Sequence, residues 1–456
     1  MDDRKNYKKM ALMAIMFSMM GYASFGQGKV TVEEAIRVTL ERNLQVKQAT
    51  LNKDLAAQDV FQAKSNLYPD LGISVNQRYN NGFAFDQVAG KVLTGNDWTT
   101  TSSGSLSSNV TIFQGLQKVN QIKANKLLLE SAATQIEKIK YDLMLSVLVN
   151  YLEAITNKEM TIASEQQILL SKEQVKNDSI QFEVGNKTLA DLSQSKNQVA
   201  TDQLNLVNAK NAYESSLLAL KQLMELSPQT DLQLVKPQVE AIDQVLEQYT
   251  AETVFDKAKS FNPELKKAQL DKQAALKQIA IAKGGYLPTL SLGVSYGSNY
   301  SSKAYDLVTQ TVIPFGDQVN KNKSFGAGLS LSIPIFDNNK NKVNVSKAKI
   351  NLQLAETNEQ LLETTLNKTV NQAVLDLSAA AQRYQSSLAA FSSATDAFQV
   401  IKERYDIGMA NGIELFTAQT NRNKAEFDLI QAKYNMIFKD KIIDYYVGNP
   451  IKFDVN

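Results

Sequence analysis

The sequence predicts a membrane α+β chain: an internally duplicated strand–helix unit with four β-strands per chain and long coiled-coil-like helices. Three observations predict it. A set of landmarks recurs in the same order at preserved spacing, two long runs contain neither Gly nor Pro, and several short segments alternate apolar with small or polar residues.

The N-terminus reads as a secretory signal over residues 1–26. Arg4, Lys5, Lys8 and Lys9 form a basic region, Met10 to Tyr22 an apolar one, and Ala23-Ser24-Phe25-Gly26 a small-residue cleavage site before Gln27. The alternative, a short membrane anchor, has a stretch of only 13 residues, where a spanning helix takes about 20. Without this segment Lys+Arg falls from 49 to 45 and Asp+Glu from 47 to 45. A net charge near zero argues against a nucleic-acid partner. The chain has no Cys and no His, which excludes Cys/His zinc sites, thiol nucleophiles, His-dependent triads and a lipidated N-terminal Cys. No motif converges acids, a nucleophile and orienting groups, so no enzyme, cofactor or metal site is expected. No uninterrupted apolar run of about 20 residues follows the signal.

The first repeat is placed at 27–226 and the second at 251–447. Asn43-Leu44-Gln45-Val46-Lys47-Gln48-Ala49 matches Asn262-Pro263-Glu264-Leu265-Lys266-Lys267-Ala268, each leading into a helix. From Asn43 to Pro69 and from Asn262 to Pro288 is 26 residues; from Phe113 to Gly185 and from Phe336 to Gly408 is 72. The offset between copies is 219 early and 223 late.

Within each repeat a strand pair comes next, 68–112 and 287–334, bounded by Pro69, Phe113, Pro288, Pro334 and Phe336. Leu290, Leu292, Val294 and Tyr296 share one face, and Ser291, Gly293, Ser295 and Gly297 the other. Phe325, Ala327, Leu329, Leu331 and Ile333 likewise oppose Gly326, Gly328, Ser330 and Ser332. The first copy is weaker: Leu71, Ile73 and Val75 oppose Gly72, Ser74 and Asn76, and Val110 and Ile112 flank Thr111. An apolar face opposite a small polar one at period two suits a lipid-facing, water-lined barrel strand; a soluble half-buried hairpin is the alternative. The polar stretches 77–104 and 299–323 read as long extracellular loops.

Long helices are expected at 113–184 and 337–407, each on the order of 100 Å. Leu129, Ala132, Ile136, Ile139 and Leu143 follow 3/4 spacing, the pattern of a coiled coil. Returning helices are expected at 187–226 and 413–447, with a connector at 227–250 and a tail at 448–456. Trp98 lies in the first loop, as an interfacial anchor or an ordinary loop residue. Tyr445-Tyr446 reads as helix-end packing.

Four strands cannot close around a channel, and lipid leaves open sheet edges unsatisfied, so a barrel requires several chains. The order Leu67-Tyr68-Pro69, Tyr286-Leu287-Pro288, Pro334-Ile335-Phe336-Asp337 and Tyr405-Asp406-Ile407-Gly408 resembles the TolC-like family of outer-membrane efflux proteins over nearly the whole mature chain. Thr111 stands where the second copy has Pro334, and Phe182 where it has Tyr405. The resemblance implies a homotrimer with a 12-stranded barrel in outer-membrane lipid. It also implies an α-helical tunnel across the periplasm, closed at its inner tip, and a periplasmic adaptor (membrane fusion) protein with an inner-membrane transporter as partners. The function it implies is a passive export conduit for efflux or type I secretion.

By the same resemblance Gly185 and Gly408 turn the helical tips, and Asp191 and Glu414 line the periplasmic aperture with Phe182 and Tyr405. Leu189, Leu192, Ile413 and Leu415 are the candidates for contact with the adaptor. As residues alone, the two acids are equally solvated first-turn side chains favoured by the helix dipole, and the four apolar ones equally core. A periplasmic coiled-coil scaffold or adaptor is the competing function; it calls for a lipoyl-like domain interrupting the hairpin and no amphipathic strands. A secreted helical surface protein is the third.

Overall fold

The computed structural model describes residues 29–86, 88–93, 98–237, 250–306, 308–309, 311–449, 451 and 453. The signal segment 1–26 lies outside the described residues, as do parts of the connector and of the tail.

The elements repeat as the landmarks do. In the first copy they are β1 (Lys29–Val30), α1 (Val32–Arg42), α2 (Leu44–Ser65), β2 (Gly72–Asn81), β3 (Ala84–Asp86), β4 (Lys91–Leu93), β5 (Trp98–Gln114), α3 (Gln117–Glu183) and α4 (Leu189–Leu223). After β6 (Gln233–Leu234) the second copy has α5 (Ala251–Phe261), α6 (Pro263–Gly284), β7 (Thr289–Ser301), α7 (Phe315–Lys321), β8 (Ser324–Ser332), α8 (Lys340–Asp406) and α9 (Gly412–Val447). Helices α1 and α5 have 11 residues each, α2 and α6 have 22, and α3 and α8 have 67. The single helix expected before each strand pair is two helices, broken at Asn43 and Asn262. Asn43 caps α1 with extended backbone and its side chain accepts the Gln45 N–H at 2.8 Å. In the second copy Pro263 opens α6, where a missing N–H is harmless.

The chain folds as two compact units. One comprises residues 48–137 and 263–364 and holds the four-stranded sheet, ordered β2-β5-β7-β8 and antiparallel throughout. The expected long loops are corrected here. Gln77 to Asn81 belongs to β2 and Trp98 to Gly104 to β5, and α7 lies within 299–323. Thr and Ser sustain a strand through backbone pairing without any apolar alternation to announce it. Phe113 lies inside β5, so α3 starts at Gln117, after a turn at Gly115-Leu116.

The other unit comprises residues 1–47, 138–262 and 365–456. Its packing shows the duplication: Ala35, Val147 and Leu220 meet in one core cluster, and their counterparts Val254, Val370 and Ile443 meet in another. A two-stranded parallel sheet of β1 and β6 lies against the first cluster, unannounced by sequence because each strand has two residues. Buried Tyr151 clamps it: its hydroxyl lies 2.7 Å from the carbonyl oxygens of Val30 and Val235 and accepts the Val235 N–H at 3.0 Å.

Candidate functional site

The first functional surface is the sheet. Pairing places Ile73 beside Leu106, Leu106 beside Tyr296, and Tyr296 beside Phe325, all on one face. Val110, Leu292 and Leu329 continue it. Ile73 is 78 % exposed and Leu329 69 %. The opposite face carries Gly, Ser, Thr and Asn: Ser74, Ser105 and Gly297 in one row, Asn109, Gly293 and Gly328 in another. Among the paired positions of this face Arg78 is the one charged residue. A register shift between Thr111 and Phe113 leaves Ile112 unpaired and sets Phe113 beside Leu290. This β-bulge keeps Phe113 on the apolar face, where strict alternation would have turned it to the polar one. Strands β2 and β8 each keep one edge without a strand partner among the described residues.

The second surface is the pair of helical tips. Gly185 (φ 79°) and Gly408 (φ 78°) take the left-handed conformation that ends each long helix, and the Asn186 and Met409 N–H groups bond back to the Gln181 and Arg404 carbonyls. Thr188 then caps α4 and Asn411 caps α9. Asp191 closes a capping box: its amide donates to the Thr188 hydroxyl at 3.2 Å, and its carboxylate accepts the Thr188 hydroxyl and N–H at 2.7 and 3.0 Å. Those bonds, led by the hydroxyl, hold its carboxyl below the usual aspartate range. Glu414 mirrors it, its amide donating to the Asn411 side chain at 2.9 Å. Both acids are thus third residues of capped helices.

Of the other expected residues, Leu189 and Ile413 are exposed, whereas Leu192 and Leu415 are buried and unavailable to a partner. The apolar stripe of each first turn faces inward at those positions. Phe182 is partly exposed, and Tyr405 is buried.

Tyr405 leads to a cluster that composition and motif reading missed. Its hydroxyl lies 3.2 and 3.3 Å from the two carboxylate oxygens of Asp178, which is fully buried in α3. Asp178 also accepts from the Gln174 side chain at 2.9 Å, from Ser195 of α4 and from Lys187 of the tip turn. The Lys187 ammonium sits 3.5 Å from the Tyr405 ring centroid. Burial, then the Asp178 charge, pushes the Tyr405 phenol well above its ordinary pKa, so it remains a donor. One carboxylate thereby ties the end of α3, its turn and α4 to the end of α8. The available signal was heptad spacing: Ser164, Gln167, Ser171, Gln174 and Asp178 recur at 3/4 intervals and are all buried.

Among the described residues no Asp/Glu group could hold a metal ion, and no helix is long and apolar enough to cross a membrane. Helices α3–α4 and α8–α9 run without an inserted domain, which removes the feature the adaptor reading requires. The chain is 23% identical over 449 residues to Outer membrane protein TolC of Escherichia coli (strain K12), covering 97% of this chain and 86% of that protein. It is 23% identical over 392 residues to Protein CyaE of Bordetella pertussis, covering 85% and 77%. Its fold matches the Campylobacter jejuni CmeC outer membrane channel with a TM-score of 0.75 at 20% identity, covering 93% of this chain and 87% of that one. The outer membrane protein VceC of Vibrio cholerae gives 0.71 at 15%, covering 92% and 97%. The profile described as outer membrane efflux protein matches residues 35–225 and 254–438, most of the length, and the chain belongs to that family.

Proposed function

We propose that three copies of this outer-membrane efflux channel join their sheets into one 12-stranded barrel, continued by an α-helical tunnel in the periplasm, through which cargo leaves passively. The observation that carries this is the sheet: apolar on one face, Gly/Ser/Asn on the other, with both edges unpaired among the described residues. Because neighbours alternate in direction, β8 of one copy would meet β2 of the next antiparallel, so the pattern repeats without a parallel joint. The 10 residues of β2 and 9 of β8 fit a tilted bilayer-spanning strand of about 9–11 residues.

The helical tips are the gate in this reading. Asp178, tied to Tyr405, holds the tip closed, while Asp191 and Glu414, with Phe182 beside them, gather near the threefold axis, repel one another and favour cations. Exposed Leu189 and Ile413 supply the contact for a periplasmic adaptor, which couples the conduit to an inner-membrane transporter. A relative named Toxin and drug export protein A, from Aggregatibacter actinomycetemcomitans, agrees with an export role. The conduit itself does no chemistry; energy comes from the transporter.

Fractionation tests the pore: the expected result is a heat-modifiable, SDS-resistant oligomer in the outer membrane, and a soluble monomer rejects it. Planar bilayers test the gate: replacing Asp191 and Glu414 by Ala raises single-channel conductance and lowers cation preference, and unchanged values reject the aperture assignment.

A further inference from the structure

The polar face of the sheet is almost free of bulk. Apart from Arg78 its paired positions hold mainly Gly, Ser, Thr and Asn, and among the described residues the β3–β4 hairpin meets it at the end remote from α2, α3, α6 and α8. There the β3–β4 hairpin is pinned by Asp86, itself 5 % exposed. Its carboxylate accepts the hydroxyl of Ser301 and the N–H groups of Val88 and Ala89 at 2.9 and 3.0 Å. Ser301 pairs with Thr101 and Thr101 with Arg78, so the pinned residue belongs to the polar face.

Ser301 is in turn immobilised from α7. The Gln318 side chain accepts its N–H at 2.9 Å and donates to its carbonyl at 2.9 Å, standing in for a ladder partner where β8 has already ended. Ser301 and Gln318 are buried along with Asp86. Charge-assisted bonds from a buried carboxylate are about twice as strong as neutral ones, so the hairpin is a fixed part of this face. Beneath it lies a cleft of about 610 Å³ lined by Asn76, Arg78, Asn80, Phe85, Thr101 and Asn299.

We infer that the β3–β4 hairpin, latched by Asp86 to Ser301, narrows the pore at its outer end and, with Arg78, sets the size and favours the negative charge of solutes passing there. This rests on the reading of the polar face as the pore face. In a trimer three hairpins and three guanidinium groups would meet the cargo at its exit, independently of the helical tips.

The absence of native Cys permits a clean test on intact cells. Ser295→Cys, on the polar face below the hairpin, is exposed from outside to maleimide–polyethylene glycols of increasing mass. Small reagents are expected to label it and large ones to be excluded. Adding Asp86→Ala with Ser301→Ala is expected to raise the size limit, and an unchanged limit overturns the constriction. Arg78→Glu, which leaves the latch intact, is expected to lower the ratio of anionic to cationic reagent labelling several-fold; an unchanged ratio overturns the charge role. If Leu329→Cys on the apolar face reacts with small reagents while Ser295→Cys does not, the pore reading itself fails, a result distinct from an unchanged size limit.

Discussion

Toward the tip of α3 the inward positions are Ser164, Gln167, Ser171, Gln174 and Asp178; 223 residues on, α8 carries Ser387, Ala390, Ala394, Ala397 and Ile401. The first set is buried within the chain, while the second is exposed or half-buried. The turn glycines and the capped first turns are shared between the copies, so the difference lies in the seam and in the side chains that face it. Lys187 and Ser195, which serve Asp178, correspond to Ala410 and Ala418, and Phe182 corresponds to Tyr405. The polar cluster therefore exists once, built from four first-copy residues, Gln174, Asp178, Lys187 and Ser195, and one second-copy tyrosine. A polar seam can be rewetted when it parts, whereas a seam of Ala and Ile packs closely and loses dispersion contacts. The duplicated tip therefore carries two different joints, one polar and buried within the chain and one of mostly Ala and Ile left exposed or half-buried.

Asp178→Ala breaks this asymmetry most severely. It strands the Lys187 ammonium and the Tyr405 hydroxyl, and losing one member of a buried ion pair costs about 3 kcal/mol. Thermal unfolding of the detergent-solubilised protein is expected to drop accordingly, with a rise in single-channel conductance. Ile401→Ala, at the equivalent and less buried position, is expected to cost about 1 kcal/mol and leave conductance alone. Equal effects on conductance from the two variants would remove the distinction between the joints.

Asp202 sharpens the comparison from the opposite direction. It is buried in α4, with one carboxylate oxygen bonded by the Gln198 side chain at 2.9 Å. Burial raises its carboxyl pKa, and the Ser171 and Gln198 side chains offset this only in part. A carboxyl with a folded pKa above its unfolded one binds more protons when folded, so stability rises as pH falls through the folded value toward the unfolded one. Above the folded pKa the penalty of a buried charge is fully present. Asp202→Asn is therefore expected to stabilise the protein at neutral pH by about 1 kcal/mol and to flatten the rise in Tm on mild acidification. A lower Tm at neutral pH would show that the charge is better satisfied than its surroundings indicate.

The sequence made the repeated architecture legible because its signals are long or periodic. Seventy-two residues from Phe to Gly in both copies and Leu290 to Gly297 alternating without exception leave few other folds. What escaped lacks a period or disguises it. The run from Trp98 to Ser105 is almost all Thr and Ser, and its strand is visible only in the pairing with β2 and β7. The bulge at Ile112 breaks period two at one residue. Asp178 was hidden because polar residues at seam spacing look like a solvated face, and only packing distinguishes the two. Leu192 and Leu415 failed as contact candidates for the converse reason: in a first turn, sequence does not say which apolar residue faces inward.

The smallest expected effect compares the copies where strand gives way to helix. Both use two successive left-handed residues: Gly115 and Leu116 (φ 56° and 61°) before α3, Asn338 and Asn339 (φ 54° and 61°) before α8. For an L-residue that conformation costs about 1–2 kcal/mol, and Asn is among the few that visit it routinely. Leu116 is 57 % exposed, so its side chain repays little of the strain by burial. Leu116→Asn makes the first junction resemble the second and is expected to gain about 0.5–1 kcal/mol. Asn339→Leu, the reverse exchange, is expected to lose a similar amount. Gly115 does not belong to this series, since a Cβ there would run into the Gly284 backbone, and Gly115→Asn is expected to destabilise. Opposite signs at adjacent residues 115 and 116 separate close approach from backbone strain. Tm shifts of the same sign at both would mean that one cause governs the junction.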